Sequence, residues 1–293
     1  MTFSSINELT SMVSAAGPLW LVFAALGITA VSLVLRLVFL IRALKPERDK
    51  IKTCGYVAPR PTMEATQQVK RVFKHLLNLQ VGKVHIEGQE NIDKVDGPKI
   101  ISANHPHWAD VAIMPLLVKG TGRFMAHGRV MTFAWGLPGL WLSKAGVFVA
   151  NDEIRDGGAR TREAAVQMLM GGETMVIMPE GLTNFSPEVQ PFKEGTVKIA
   201  REAARRSGKP VYLVPSYLRY GKYPGAWLSS LDRAVQYFVV LLLFPLYRRQ
   251  ARLVVGKPWS TDEMVDSTGQ PLTDEEATKI FRDKVVALDP GKV

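Results

Sequence analysis

The segment Ile100-Ile101-Ser102-Ala103-Asn104-His105-Pro106-His107-Trp108-Ala109-Asp110 begins with apolar residues and ends with polar, reactive ones. Its apolar start predicts a short strand that leads into a loop or a helix start. Catalytic side chains often lie on loops that a rigid strand holds in place. His105 can accept a proton near neutral pH, and Asp110 can fix the tautomer of the ring and stabilise its charged form. The segment therefore predicts a catalytic base at the end of a strand.

Short apolar runs and helical stretches alternate on both sides of this segment. The predicted strands are at 84–86, 100–101, 124–126, 147–149, 175–178, 211–214 and 253–255. The predicted helices between them are at 110–119, 158–170 and 195–206. Strands separated by helices predict an α/β fold with a mostly parallel sheet flanked by helices. Ligands bind such sheets beyond the carboxyl ends of the strands, where His105 is expected.

An uncharged apolar run near the N-terminus predicts a hydrophobic membrane-anchor helix at 17–44. Residues 1–16 form a mostly polar N-terminus, 17–35 carry no charge, and the apolar pattern continues past Arg36. About 20 apolar residues cross the hydrocarbon core of a bilayer, so the run suits one span. A tilted or re-entrant anchor and a buried helix are the alternatives. Lys and Arg are absent before the run and cluster after it, which predicts a membrane protein with its catalytic domain on the cytoplasmic side.

Residues 45–82 are predicted to form a basic linker followed by an amphipathic helix at 64–79. The apolar positions of this helix recur on one face and its basic positions lie off that face: Val69, Val72, Phe73, Leu76 and Leu77 against Lys70, Arg71 and Lys74. A helix of this kind either lies on an anionic membrane or packs against the domain that follows. The sequence leaves both alternatives open.

The remaining residues, 83–293, are predicted to form one catalytic domain. A second uncharged apolar run within it, 234–247, has 14 residues. This run is shorter than the roughly 17 residues that a span needs, and Pro245 interrupts it, so it is predicted to be buried or to dip into the membrane interface. A last helix is predicted after Thr273, where Thr-Asp-Glu-Glu matches a capping box.

Composition narrows the predicted partners of the chain. A hydrophobic fraction of 47% supports a sizeable core, and a formal net charge of +10 suits an anionic membrane surface or an anionic substrate. No nucleic-acid motif accompanies this charge, so no nucleic-acid partner is predicted. Cys54 is the one cysteine, which excludes an intrachain disulfide and a thiolate metal cluster.

Four blocks of sequence, taken in order, resemble one family of enzymes. They are His105-x-x-x-x-Asp110, the run Lys144-Ala145-Gly146-Val147-Phe148-Val149, the run Met178-Pro179-Glu180-Gly181 with Pro191-Phe192-Lys193-Glu194-Gly195 after it, and Val214-Pro215. Behind a membrane anchor, they resemble the glycerolipid acyltransferase family, the HxxxxD-type group that contains the 1-acylglycerol-3-phosphate (lysophosphatidic acid) acyltransferases. The resemblance covers roughly residues 83–260. One block alone occurs by chance in many proteins, whereas four in order are specific.

The resemblance implies a transfer of a fatty acyl group from acyl-CoA or acyl carrier protein to the hydroxyl of a lysophospholipid. Lysophosphatidic acid is the first acceptor it implies, in phospholipid biosynthesis or remodelling. Such a transfer needs a base for the acceptor hydroxyl, here His105, and a group that orients and steadies the base, here Asp110. No Gly-x-Ser-x-Gly segment is present, so no enzyme nucleophile is predicted. The thioester supplies the driving energy, so no metal or redox cofactor is predicted.

The remaining predicted site residues surround the base. The resemblance implies a substrate-binding role for Glu180, with Gly181 beside it at a strand end. Asn104 and Thr183 are also predicted to contact substrate. His107 does not match the spacing of the block and is interpreted as a neighbour that shapes the pocket. A metal site made of His105, His107 and Asp110 is a weaker alternative, because it lacks a clear further ligand.

Departures from the family pattern limit what the resemblance implies about the acceptor. The family's third block usually continues Gly-Thr-Arg-Ser, but here it reads Gly181-Leu182-Thr183-Asn184, which removes an arginine suited to phosphate. A second family arginine, after the second block, is replaced by Ala150-Asn151-Asp152. The missing positive charge is predicted to come from another basic side chain, with four candidates: Arg129, Arg155, Lys193 and Arg219.

Three other functions remain open on the sequence alone. The acceptor could be another lysolipid such as lysophosphatidylcholine. The chain could be a non-catalytic lipid-binding membrane protein that has kept the fold. It could also be a thioesterase or lipid hydrolase that uses water at the same histidine.

Overall fold

The computed structural model describes residues 3–132, 137–150, 156–221, 223, 225–232, 235–236, 239 and 250–291. The chain divides into two compact units, Met1–Asp49 and Lys50–Val293. Arg155 and most of the apolar run 234–247 lie outside the described residues.

The first unit consists mainly of helix α1 (Phe3–Ala43), and α2 (Lys45–Ile51) begins at its end. The part Val22–Ala43 has a mean hydropathy of 2.4, is not buried within the protein, and is long and apolar enough to cross a membrane. The predicted N-terminal hydrophobic helix is therefore confirmed as a candidate anchor. It begins earlier than predicted, because the polar residues before position 17 continue the same helix.

The second unit contains a mixed, mostly parallel sheet. Its described strands are β1 (Val84–Glu87), β2 (Lys99–Ala103), β3 (Arg123–His127), β4 (Val147–Ala150), β5 (Thr174–Ile177), β6 (Tyr212–Tyr220), β7 (Ala251–Val255) and β8 (Trp259–Ser260). The strand order is β1-β7-β6-β2-β5-β3-β4, with β8 paired to β6. Strand β6 is antiparallel to β7 and β8, and the other pairings are parallel. The predicted α/β class and all seven predicted strands are confirmed, and β8 is an addition.

Helices cover both faces of this sheet. They are α3 (Met63–Gln80), α4 (Gln89–Asp93), α5 (Asp110–Ile113), α6 (Gly128–Thr132), α7 (Leu137–Lys144), α8 (Gly157–Met170), α9 (Gly195–Ser207) and α10 (Asp274–Val286). Neighbouring residues of the central strand β2 point to opposite sides, so Ile100 packs with α8 and α9 while Ile101 packs with α3 and α5. Both side chains are completely buried. The strand before His105 is therefore held rigidly from both sides.

Helix α5 is shorter than the predicted helix at 110–119. The last α-helical hydrogen bond of this helix runs from the amide of Met114 to the carbonyl of Asp110, and a 3-10 turn, Met114–Leu117, follows. Pro115 explains the change, because it has no amide hydrogen and its ring crowds the preceding turn of an α-helix. Helix α10 begins at the predicted place, with both hydrogen bonds of the capping box between Thr273 and Glu276.

The sequence left open whether helix α3 lies on a membrane or packs against the domain, and its burial partly decides between the two. Leu77 is buried in the core beneath the sheet, and Phe73 packs against the same cluster, so the helix belongs to the domain. Three apolar side chains nevertheless face solvent, since Val72, Leu76 and Leu79 are 44%, 41% and 69% exposed. They fall at i, i+4 and i+7 and therefore form one stripe on the outer surface of the helix.

Candidate active site

The end of strand β2 is joined to strand β6 by the side chain of Asn104. Its Nδ2 donates to the carbonyl of Leu218 at 3.0 Å, and its Oδ1 accepts from the amide of Leu218 at 2.7 Å. The Asn104 side chain is completely buried. Its polar atoms are thus used within the sheet, which gives Asn104 a positioning role and corrects the expectation that it touches substrate. His105 leaves the strand from this fixed point.

His105 and Asp110 form a hydrogen-bonded pair at the carboxyl end of β2. The distance from His105 Nδ1 to Asp110 Oδ2 is 2.8 Å. The imidazole is 14% exposed, whereas the carboxyl group is completely buried. Asp110 is the first residue of α5, so the loop 105–109 brings the two side chains together within five positions. The arrangement leaves Nε2 as the ring nitrogen that faces away from the carboxylate.

Asp110 receives two further hydrogen bonds. The amide of His107 donates to Oδ2 at 2.9 Å, and the hydroxyl of Tyr220 donates to Oδ1 at 2.5 Å. Burial raises the pKa of Asp110, while His105, Tyr220 and the amide of His107 all act to lower it. Each of these donors interacts best with the ionised carboxylate, so the site is built to hold a negative charge next to the imidazole.

Tyr220 is a site residue that the sequence analysis missed. In the register of the parallel pair β2 and β6, Ala103 is opposite Ser216, so β6 continues four residues beyond the end of β2. Leu218 and Tyr220 lie in this extension, and they bond Asn104 and Asp110 on either side of the loop that carries His105. Only the register between two strands more than 100 residues apart places Tyr220 at this site, and no local sequence pattern reveals that register.

His107 is a structural neighbour of the pair. It is 3% exposed, and burial, followed by the charge of His105, lowers its pKa to about 3. The ring is therefore neutral at physiological pH. Its Nδ1 accepts a hydrogen bond from the amide of Ala109 at 3.0 Å, and its ring lies 4.9 Å from that of Tyr220. These contacts brace the loop between the two members of the pair.

The loop after β5 meets the other side of the histidine. The hydroxyl oxygen of Thr183 is 3.2 Å from His105 Nε2. The amide of Asn184 donates to the carbonyl of His105 at 3.1 Å. Thr183 is thus brought to the ring nitrogen from which a base would act.

Glu180 lies in the same loop with an altered acidity. Burial raises its pKa to about 7, although the amides of His105 and Gln190 act in the opposite direction. Its Oε2 accepts a hydrogen bond from the side chain of Asn184 at 3.0 Å. A carboxyl group with this pKa exists in both protonation states near neutral pH, which is typical of functional sites.

Gly181 allows a basic side chain to approach this loop. Its φ of +80° is unfavourable for other residues, and a Cβ placed there would lie 3.2 Å from Nζ of Lys193. The backbone of Lys193 is also joined to the loop, since its amide donates to the carbonyl of Pro179 at 3.0 Å. Lys193, one of the four candidates for the missing positive charge, is therefore next to Glu180-Gly181, and its role in binding stays a prediction.

The other predicted basic residues are not placed on this loop. Arg129 is an exposed residue of α6, after strand β3. Arg219 forms an ion pair with Asp289 at 2.9 Å. Arg155 lies outside the described residues. Within the part of the chain that the structure describes, no three His, Cys, Asp or Glu side chains are grouped as a metal site.

Comparisons with known proteins agree with this architecture. Residues 83–219 match a family model described as Acyltransferase. The lyso-ornithine lipid O-acyltransferase of Brucella abortus (strain 2308) is 28% identical over 155 residues, which are 52% of this chain and 53% of that protein. The chain thus spans about half the length of this curated relative.

A solved structure is similar over a larger share of the chain. The 1-acyl-sn-glycerophosphate (LPA) acyltransferase PlsC from Thermotoga maritima matches with a TM-score of 0.50 and 19% sequence identity. The match covers 78% of this chain and 80% of that one. At this level of identity the match shows a common fold.

Proposed function

We propose that the chain is a glycerolipid acyltransferase that acylates a lysolipid, and the match of its residues 83–219 to a family model described as Acyltransferase supports this proposal. The fatty acyl group would come from the thioester of acyl-CoA or acyl carrier protein and go to a free hydroxyl of the acceptor. The observation that carries this proposal is the 2.8 Å contact between His105 Nδ1 and the buried carboxylate of Asp110. It leaves Nε2 in position to remove a hydroxyl proton.

The chemistry follows from this pair. The acceptor hydroxyl gives its proton to Nε2 of His105 as its oxygen attacks the thioester carbonyl carbon. Asp110 holds Nδ1–H and stabilises the imidazolium that forms. The carbon–sulfur bond then breaks, and His105 returns the proton to the leaving thiolate. Three donors from the protein hold the carboxylate of Asp110 in place during these steps.

For the acceptor, we propose lysophosphatidic acid as the first candidate, with Lys193 as the nearby positive charge for its phosphate. A lyso-ornithine lipid is the second candidate, and three observations favour it. Thr183 stands where the family usually has an arginine, and its hydroxyl is directed to His105. The carboxyl group of Glu180 beside the base suits a cationic amine head group, and the relative in Brucella abortus is named for such a lipid.

We further propose that α1 anchors the enzyme in a membrane with the second unit on the cytoplasmic side. The absence of Lys and Arg before the apolar run and their cluster after it support this orientation. The net charge of +10 would hold the domain against anionic lipid and attract an anionic donor.

The test is an acceptor panel with the purified full chain. Palmitoyl-CoA and palmitoyl-acyl carrier protein are each supplied with lysophosphatidic acid, lyso-ornithine lipid or lysophosphatidylcholine, and products are measured by mass spectrometry. The proposal predicts a diacyl product with at least one of these acceptors. Binding without product would favour a non-catalytic lipid-binding protein, and release of free fatty acid irrespective of acceptor would favour a hydrolase.

A further inference from the structure

We propose that Arg282, on the C-terminal helix α10, is a positioning residue of the acceptor site and that it affects lysolipid binding through the loop beside Glu180. This inference rests on the proposed acyl transfer and on the place of Glu180 beside the base, His105. Helix α10, Asp274–Val286, lies outside residues 83–219, which match the family model. The acceptor site would therefore include an element that the matched residues do not contain.

The guanidinium of Arg282 holds the far end of the loop that follows β5. Its Nε donates to the carbonyl of Gln190 at 3.1 Å, and its Nη2 donates to the carbonyl of Val189 at 2.5 Å. Its contact with Asp283, on the same helix, is longer at 3.7 Å. The planar fork of an arginine can bond two neighbouring carbonyls at once, whereas a lysine ammonium is a single point charge. The side chain thus joins α10 to a loop that lies 92 positions earlier in the chain.

The segment 188–190, whose end α10 holds, is itself bonded to Glu180. The amide of Gln190 is directed at the carboxyl group of Glu180 and acts to lower its pKa. Asn184 Nδ2 donates to Oε2 of Glu180 at 3.0 Å and to the carbonyl of Glu188 at 2.8 Å. Because these bonds join Glu180 to both ends of the segment, a shift of the segment would move the carboxyl group.

The groups that act on the charge of Glu180 come from several parts of the fold. Burial is the largest influence on its pKa and raises it, and the charge of Asp110 acts in the same direction. Three groups act to lower this pKa: the amides of His105 and Gln190 and the guanidinium of Arg282. Lys193 is a further cation close to this turn, at Gly181. Helix α10 therefore favours the ionised form of Glu180 both through the loop and through its own charge.

Loss of the guanidinium should weaken acceptor binding more than it slows the chemical step. Arg282→Gln replaces the fork with a shorter, neutral side chain and leaves the pair of His105 and Asp110 untouched. We expect KM for the acceptor to rise about 10-fold, with a smaller change in kcat and in KM for the donor. Steady-state rates of the purified full chain, with palmitoyl-CoA and the acceptor that gives the highest rate on the panel, measure these constants.

The dependence of the acceptor KM on pH tests whether Arg282 acts through Glu180. The pKa of Glu180 is about 7, so this KM should change around neutral pH in the wild type. Without the guanidinium this pKa should rise, so in Arg282→Gln the midpoint of the change should move up by at least about half a pH unit. Arg282→Lys keeps the positive charge without the fork. Its midpoint should therefore stay near that of the wild type, while its acceptor KM lies between those of the wild type and Arg282→Gln.

The control is Lys279→Gln, which removes an exposed cation from the same helix and should change neither the acceptor KM nor the midpoint. An unchanged acceptor KM or an unchanged midpoint in Arg282→Gln overturns the inference and leaves the acyltransferase intact. This includes a fall in kcat alone, which a smaller folded fraction would produce. Equal changes in Lys279→Gln overturn the inference too, because they would come from the net charge of α10. A wild-type protein that transfers to no acceptor on the panel overturns the proposed function and, with it, the inference.

Discussion

At the scale of single residues, the site depends on how Asp110 is held. Its carboxyl group has no exposure to solvent, and its partners are the ring of His105, the amide of His107 and the hydroxyl of Tyr220. A buried charge that loses one of its donors keeps the full cost of its desolvation. The negative charge next to His105 therefore depends on a tyrosine that is distant in sequence.

Replacing Tyr220 by Phe should lower kcat about 10-fold, with a smaller effect on KM. Tyr220 acts to lower the pKa of Asp110, so its loss should raise that pKa further. The active form needs the ionised carboxylate, so the acid limb of the rate profile should move to higher pH. The matched control is Tyr217→Phe on the same strand, which loses a hydrogen bond to the carbonyl of Pro187. An unchanged acid limb in Tyr220→Phe would show that the tyrosine does not act through Asp110.

Glu180 should make stability depend on pH. Burial raises its pKa from 4.5 to about 7, so between these values the folded protein binds more protons than the unfolded chain. This contribution to stability is present at low pH and is lost as the pH rises through about 7. Relative to the wild type, Glu180→Gln should therefore gain on the order of 1–3 kcal/mol in unfolding free energy between pH 5 and pH 8.

The measurement for Glu180 is urea unfolding in detergent at both pH values. The exposed Glu275→Gln is the control for the loss of one carboxylate. A difference between Glu180→Gln and the wild type that stays constant from pH 5 to pH 8 would contradict a raised pKa at Glu180.

At the scale of elements, the strands and long helices were predictable because their patterns are local. Apolar runs of two to four residues locate the strands, and helical spacing locates α8 and α9 within one residue at each end. Helix α5 was predicted too long because a proline near the start of a helical pattern can either be tolerated or end the α-helix. Here Pro115 lies in a 3-10 turn that replaces the α-helix. The antiparallel direction of β6 and β7 was not predictable, since it depends on residues far apart along the chain.

At the same scale, the exposed face of helix α3 is expected to contact a membrane. Its inner face packs on the domain, and Val72, Leu76 and Leu79 form an exposed apolar stripe near the basic Arg71 and Lys74. We expect this stripe to lie in the interface of an anionic membrane. A nitroxide label at Leu79→Cys should gain oxygen accessibility when the protein is placed in anionic vesicles, whereas one at the neighbouring Asn78→Cys should not.

Both label positions are exposed, and they point about 100° apart on the helix. The one native cysteine, Cys54, is buried and would be replaced by Ala in both variants. Equal accessibility at the two positions in vesicles would contradict membrane contact by this face.

At the scale of the whole molecule, the sequence predicted the α/β fold class and brought His105 and Asp110 together as a pair, because both depend on patterns that are local in the chain. It did not predict how the blocks meet. The contact of Thr183 with Nε2 and the contact of Tyr220 with Asp110 join residues 78 and 110 positions apart. Asn104 was expected at the substrate, but its side chain joins two strands. The sequence alone does not distinguish an asparagine that binds substrate from one that bonds the backbone of a neighbouring strand.

The most direct test of the account is the rate of acyl transfer by His105→Ala, measured against the wild type with palmitoyl-CoA and the best acceptor from the panel. The proposed acyl transfer requires this histidine as the base that activates the acceptor hydroxyl. We predict a loss of about 1,000-fold in kcat with an unchanged circular dichroism spectrum. Acyl transfer by a folded His105→Ala protein at the wild-type rate, with every lysolipid that the wild type accepts, would contradict the assignment of the active site.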